Sequence, residues 1–151
     1  MKKFSSFFLC LTVLFLLLTA CSQTTDKKLT DKSSEQNFPS SKDGVTLMTE
    51  KEQYTTSADT ITVMIENNSS NEFTTGTHLF LEKKVDGIWY EFPYKVNEFT
   101  EAAMVHVPGE TSAMALSVDE LKYELNPGEY RATVGGLAAP FEVVTSEEAD
   151  K

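Results

Sequence analysis

The chain opens with Lys2 and Lys3 and then runs apolar from Phe7 to Leu18, broken only by Thr12. A helix needs roughly 20 apolar residues to cross a bilayer. This run is shorter and fits the apolar region of a secretory signal. Past Cys21 apolar side chains become scarce, and over residues 22–44 Leu29 and Phe38 are the only large ones. From Val45 onward the pattern has a period of two. In "TITVMIENN", Ile61, Val63 and Ile65 share one face while Thr62 and Glu66 lie on the other. "THLFLEKKVDGIWYEFPY" reads as two strands around Asp86-Gly87, a two-residue hairpin turn. "GVTLMTE", "YRATV" and "FEVV" supply further strands. Asn67 to Asn71, Val107-Pro108-Gly109-Glu110 and Asn126-Pro127-Gly128-Glu129 have turn chemistry. A helical turn is expected only in "SVDELKYEL", with Ser117 as its cap and Glu120 three residues on. The pattern predicts one all-β domain over residues 45–145, an antiparallel β-sandwich of about seven strands.

The hairpin fixes a register. A two-residue loop at Asp86-Gly87 pairs Val85 with Ile88, Lys83 with Tyr90 and Leu81 with Phe92. That face, with Leu79, should be core. Trp89 then falls on the other face, opposite Lys84 and near Glu82 and Glu91, half exposed with its ring under the Lys84 ammonium.

The end of the apolar run adds an address. Leu18-Thr19-Ala20-Cys21 resembles a bacterial lipobox: an aliphatic residue, two small ones, and a cysteine whose thiolate takes a diacylglyceryl group. Residues 1–20 are therefore expected to be a lipoprotein signal peptide, and Cys21 the lipidated residue. Two acyl chains hold a protein stably on a bilayer where one does not. The expected location is the outer face of a bacterial cytoplasmic membrane. Of the two cysteines, Cys10 lies inside the signal, so the mature chain has no disulfide, no thiolate metal site and no cysteine nucleophile.

Residues 22–44 are polar and carry four acidic and four basic side chains. They read as a flexible, disordered tether, with an end-to-end distance of about 25 Å as a random coil. Residues 45–151 hold 19 acidic side chains against 7 basic, and the whole chain has a net charge of −10. Such a surface excludes nucleic acid as a partner and disfavours direct adhesion to anionic lipid or wall polymer. Residues 146–151 read as a disordered acidic tail.

In "LNPGEYRATV", Leu125, Pro127, Gly128 and Tyr130 look like the corner entering strand F of immunoglobulin-like domains, where a tyrosine hydroxyl bonds back to the preceding turn. With "YTTSADTITVMIENNSS", "LEKKVDGIWYEFPY" and "VPGETS", the chain from Val45 to Val144 is similar to a bacterial immunoglobulin-like domain family found in lipoproteins and cell-surface proteins, mostly of Gram-positive bacteria. The resemblance implies a β-sandwich with Tyr130 and Gly128 as its structural corner, and no common enzyme activity. The turn pattern is also similar to that of some small bacterial proteinase inhibitors.

Nothing in the sequence assembles a catalytic site. His78 and His106 are the only histidines, neither has ligand spacing, and both read as surface residues. No nucleophile elbow, zinc-protease motif or phosphate loop is present. Carboxylates are abundant, but no calcium-loop spacing occurs. No metal or cofactor is expected. Trp89, Tyr94 and Phe99 around Pro93 are candidate partner-binding aromatics, although Tyr94 and Phe99 would also serve to cap the end of a sandwich. The expected function is a monomeric, membrane-anchored, non-catalytic binding or accessory module for a protein or peptide. An inhibitor of an extracytoplasmic proteinase is the alternative. Cys21→Ala should leave unprocessed or released protein, read by fractionation and by the mass of the amino-terminal peptide; mature, membrane-bound mutant would refute lipidation.

Overall fold

Ile61, Val63 and Ile65, the apolar face read from alternation, are fully buried, while Thr60, Thr62, Met64 and Glu66 stay on the outer side. The computed structural model describes residues 23–96 and 98–148, so the signal peptide, lipobox and Cys21 lie outside the described residues. After a helical turn at Gln23–Asp26, the strands are β1 (Ser41–Lys42), β2 (Val45–Thr49), β3 (Gln53–Thr55), β4 (Thr60–Asn67), β5 (Phe73–Gly76), β6 (Phe80–Val85), β7 (Ile88–Glu91), β8 (Ala103–His106), β9 (Thr111–Ser117), β10 (Gly128–Val134) and β11 (Leu137–Val144). One sheet has the order β1-β2-β4-β9 and the other β3-β11-β10-β6-β7, with β5 and β8 forming a separate ribbon. All pairs are antiparallel except β3 with β11.

The core lies between the two large sheets. Leu47, Ile61, Val63, Ile65, Met114 and Leu116 come from one layer, and Leu81, Tyr130, Ala132, Leu137, Phe141 and Val143 from the other. Each such aliphatic side chain contributes about 1.5–3 kcal/mol on burial. The β6–β7 register is the expected one, pairing Lys84 with Trp89 and Val85 with Ile88. Asp86 and Gly87 both have positive φ, 50° and 81°, as a primed hairpin turn requires. The corner is also formed: the Tyr130 hydroxyl donates to the Asn126 carbonyl at 2.9 Å and accepts from the Asn126 N–H at 3.3 Å. Gly128 has φ +148°, and a Cβ there would sit 2.9 Å from Lys83 Cε. The lysine stem fills the space that a side chain would need.

Several expectations are corrected. The expected helical turn shrinks to a 3₁₀ turn at Val118–Glu120, and the Ser117 side chain makes no capping bond. The sequence pattern gives no strand for β1, β3, β5, β8 or β9; β9 carries outward Ala113 and Ala115, poor strand formers that mask its inward Met114 and Leu116. The stretch read as a free tether packs on the domain. Leu29 is 7% exposed and part of the core, Lys32 bridges Tyr90 at the β7 edge, and the Pro39 carbonyl accepts from Ala138 N–H at 2.9 Å. Residues 26–39 form a strap that starts on the core side at Asp26 and Leu29, pairs with the β7 edge at residues 31–33 and crosses the outer face of the β6–β10–β11 layer to Pro39.

His106 is not a surface residue: it is 3% exposed. Its Nε2 lies 2.9 Å from the Thr75 hydroxyl, which itself donates to the Gly76 carbonyl, and Nδ1 lies 2.5 Å from Ser112 Oγ. Thr75 can then only accept from the ring, which puts the proton on Nε2 and makes Nδ1 the acceptor for Ser112. The imidazole thus pins the β5–β8 ribbon to β9. His78 is half-buried, stacked on Phe99 at 3.7 Å between ring centres, and its Nε2 has no hydrogen-bond partner among the described residues.

Burial lowers the pKa of both imidazoles from the ordinary 6.5, with Glu120 partly opposing the shift at His78. A depressed folded pKa means that the neutral rings contribute stability that is full above 6.5 and lost as pH falls below it. The urea midpoint should decline from about pH 7 to about pH 5, and His106→Gln should flatten that decline. Equal slopes in the two proteins would contradict the neutral, buried role of His106.

Candidate functional site

The strap is held by charges that the β-sheet buries. Lys83 is 2% exposed, on the core side of β6, and its ammonium donates to Asp26 Oδ1 at 2.5 Å and to Asn126 Oδ1 at 2.9 Å. Asp26 also accepts from Asn126 Nδ2 at 3.2 Å. On the outer face, Arg131 and Glu82 are 3% and 5% exposed, and Arg131 Nε donates to Glu82 Oε2 at 2.6 Å. The two charges neutralise each other, and the strap supplies the remaining hydrogen bonds. Ser33 Oγ donates to Glu82 Oε1 at 2.7 Å, and Arg131 donates to the Glu35 and Gln36 carbonyls at 2.6 and 3.0 Å. The guanidinium lies 4.4 Å from the Trp89 ring centre and 5.3 Å from that of Phe38, within cation–π range of both. Gln36 accepts from Trp89 N–H at 2.8 Å and donates to its carbonyl at 3.1 Å.

Between the strap and the loops that follow β7 lies a groove of about 600 Å³. Its floor is Phe80, Leu81 and Glu82 from β6 with Phe92 and Pro93. Phe38, Phe99 and Tyr123 form the walls, and Lys28, Asp31, Glu91 and Lys122 stand at the rim. The chain 93–95 is fixed there by pairing with 120–122: Lys95 N–H donates to the Glu120 carbonyl and Lys122 N–H to the Pro93 carbonyl, both at 2.8 Å. A second hollow of about 390 Å³ shares Phe38, Phe80, Phe99 and Thr133 with the first. Phe80 therefore borders both hollows, and it is 48% exposed. Partial burial first, then the Asp31 and Glu82 carboxylates, push Glu91 up from its ordinary carboxyl pKa. This edge of the groove carries a negative field that a cationic group would relieve.

The expected aromatic patch is only partly assembled. Trp89 is half-buried on the outer face of β7, with Lys84 Nζ 5.6 Å from its ring as expected, but Arg131 takes the closer contact. Tyr94 is 7% exposed and its hydroxyl donates to the Leu79 carbonyl at 2.6 Å, so only its edge reaches the groove. Burial raises the Tyr94 and Tyr130 hydroxyls well above the usual phenol range. Phe99 is half-buried, edge-on to Tyr94 at 5.4 Å and stacked on His78. Tyr94 and Phe99 thus sit in one cluster, with Trp89 apart from it. Phe38, Phe80, Asp26 and the Glu82–Arg131 pair had not been singled out. Phe80 was readable, because it breaks the alternation set by Leu79 and Leu81. Among the described residues no group of three or more His, Cys, Asp or Glu side chains is placed to hold a metal, and no helix is long and apolar enough to cross a membrane.

The family model for the bacterial Ig-like domain matches residues 41–138. The chain belongs to that family. Ig-like domains of this kind are generally non-catalytic accessory or binding modules, typically extracellular or on the cell surface. No curated protein matches the chain. Similar solved structures include the β-glucosidase EmGH1 of Erythrobacter marinus, at 13% identity over 67% of this chain and 15% of that one, with a TM-score of 0.40. Another is a β-glucosidase of Listeria innocua, at 15% identity over 66% of this chain and 16% of that one, TM-score 0.36. A third is the alkylpurine DNA glycosylase AlkC of Pseudomonas fluorescens, at 14% identity over 70% of this chain and 32% of that one, TM-score 0.37. The Ig-like chain spans about a third or less of the length of each. At these scores the likenesses carry no functional argument.

The strap lock is open to test. Asp26→Asn leaves the buried Lys83 ammonium without an anion and should cost about 1–3 kcal/mol in urea unfolding, since Asp26 itself is partly exposed. Adding Lys83→Met should restore most of the loss. A harmless Asp26→Asn would mean that the strap is not held there.

Proposed function

We propose that this Ig-like protein is a lipoprotein anchored through Cys21 on the outer face of a bacterial membrane, where it serves as a non-catalytic binding module for a protein or peptide. The recognition site is the groove beside the strap. The observation that carries this reading is Phe80: a large aromatic side chain, 48% exposed, standing on a β-strand between two hollows rather than in the core. Solvent-facing aromatics in concave, apolar surroundings are the usual anchors of interfaces. Asp31 and Glu91 at the rim favour a lysine or arginine beside the partner's apolar residue, and Lys28 and Lys122 at the same rim favour a carboxylate. The lipobox supports the address, and a surface-displayed family supports the class.

Cross-linking in living cells, with the full-length protein as bait, tests this reading. Phe80→Asp lies on an exposed face and should leave the melting temperature within a few degrees of wild type. Its capture of any partner should fall about tenfold or more, as expected for a hot-spot residue. Undiminished capture by the variant would move the binding surface away from the groove.

A further inference from the structure

The strap decides more than the shape of the groove. Among the described residues, Asp26 is the first whose side chain bonds to the sheets, and only residues 22–25 separate it from Cys21. Five residue steps span at most about 18 Å. If the anchor is at Cys21, as proposed above, the end of the sandwich that holds Asp26, Asn126 and Tyr123 must stay close to the bilayer.

Three lysines gather at that end, on a rim that also carries Asp31 and Glu91. Lys27 and Lys28 follow Asp26 directly, and Lys122 arrives from the loop before β10; all three are exposed. Lys28 Nζ and Lys122 Nζ converge on the Tyr123 ring, at 5.0 and 5.7 Å from its centre. None of the three forms an ion pair among the described residues, whose salt bridges join Lys83 to Asp26, Lys84 to Glu129 and Arg131 to Glu82. Glu124 is the acidic neighbour in the same loop. Tyrosine flanked by lysine suits the boundary between water and lipid, since the ring is amphipathic and lysine stems reach outward.

We propose that Lys27, Lys28 and Lys122, around Tyr123, form a docking patch for the phosphate headgroups of an anionic bilayer. Lys28, Lys122 and Tyr123 also line the groove, so the docked domain holds that groove at the membrane surface and a partner segment has to reach it there. The inference rests on the anchor at Cys21. It departs from the sequence-level expectation that the chain's overall negative charge keeps it off anionic lipid. Attraction to headgroups falls off within a Debye length, about 8 Å at physiological salt, so the local patch outweighs the distant acid. Each lysine near the surface is worth roughly a fivefold preference, and three together roughly a hundredfold.

Trp89 is the chain's only tryptophan, which makes it the donor for energy transfer to dansyl-labelled lipid. The mature full-length protein would be reconstituted in phosphatidylcholine vesicles with and without phosphatidylglycerol, after the mass of its amino-terminal peptide has been checked for acyl chains. Transfer should be stronger with phosphatidylglycerol and should fall to the phosphatidylcholine level in high salt. It should do the same in the Lys27→Gln/Lys28→Gln/Lys122→Gln variant, whereas the corresponding triple arginine variant should keep it. Equal transfer in both lipids by an acylated protein overturns the docking patch alone. An unacylated amino-terminal peptide overturns the anchor, and the orientation falls with it.

Discussion

A lysine ammonium buried under a β-sheet must meet an anion, and the rest of this structure follows from where that anion comes from. Lys83 points into the core side of β6 because its neighbours in the register, Leu81 and Val85, are apolar and the alternation is fixed. The sandwich offers it Asn126 and the face of Tyr130 but no carboxylate. Asp26 supplies one from outside the two sheets. The same logic holds on the opposite face, where the Glu82–Arg131 pair would be incompletely solvated by the sheet alone and is completed by Ser33, Glu35 and Gln36. A polar segment that buries little apolar surface is thus ordered by charge-assisted bonds rather than by a hydrophobic face.

This division explains what could be read in the sequence. The alternation of Ile61, Val63 and Ile65, the Asp86-Gly87 turn and the Tyr130 corner are local signals, and each appears in the fold as read. The strap is not legible in the sequence because its composition is that of a disordered chain, and its partners lie 49 or more residues away. No local pattern announces that a Lys in one strand lacks an anion. His106 is hidden for a related reason: its flanking valines suggest an outward histidine, but β8 pairs with β5 in a small ribbon whose inner side holds His106 and Thr75 beside Phe73 and Met104.

The candidate site shares this dependence. One wall of the groove, Phe38, belongs to the strap, and its floor belongs to β6. Of the aromatics chosen from sequence, Phe99 lines the groove, Tyr94 shows it an edge, and Trp89 instead lies against Arg131. The exposed ring, Phe80, sits where alternation alone would put a polar side chain. An Ig-like sandwich whose outer sheet face is covered by its own leading segment therefore presents a composite surface, neither wholly strap nor wholly sheet.

The order in which the strap's contacts occur along the chain has a mechanical consequence. Any pull entering the domain from its amino-terminal side reaches the Asp26–Lys83 pair first, then the Lys32–Tyr90 bridge, then the bonds to Arg131. Such loading peels contacts one at a time instead of shearing the β2–β4 and β10–β11 ladders together. The strap thus acts as a fuse, giving way and paying out chain at low force while the sandwich behind it stays folded.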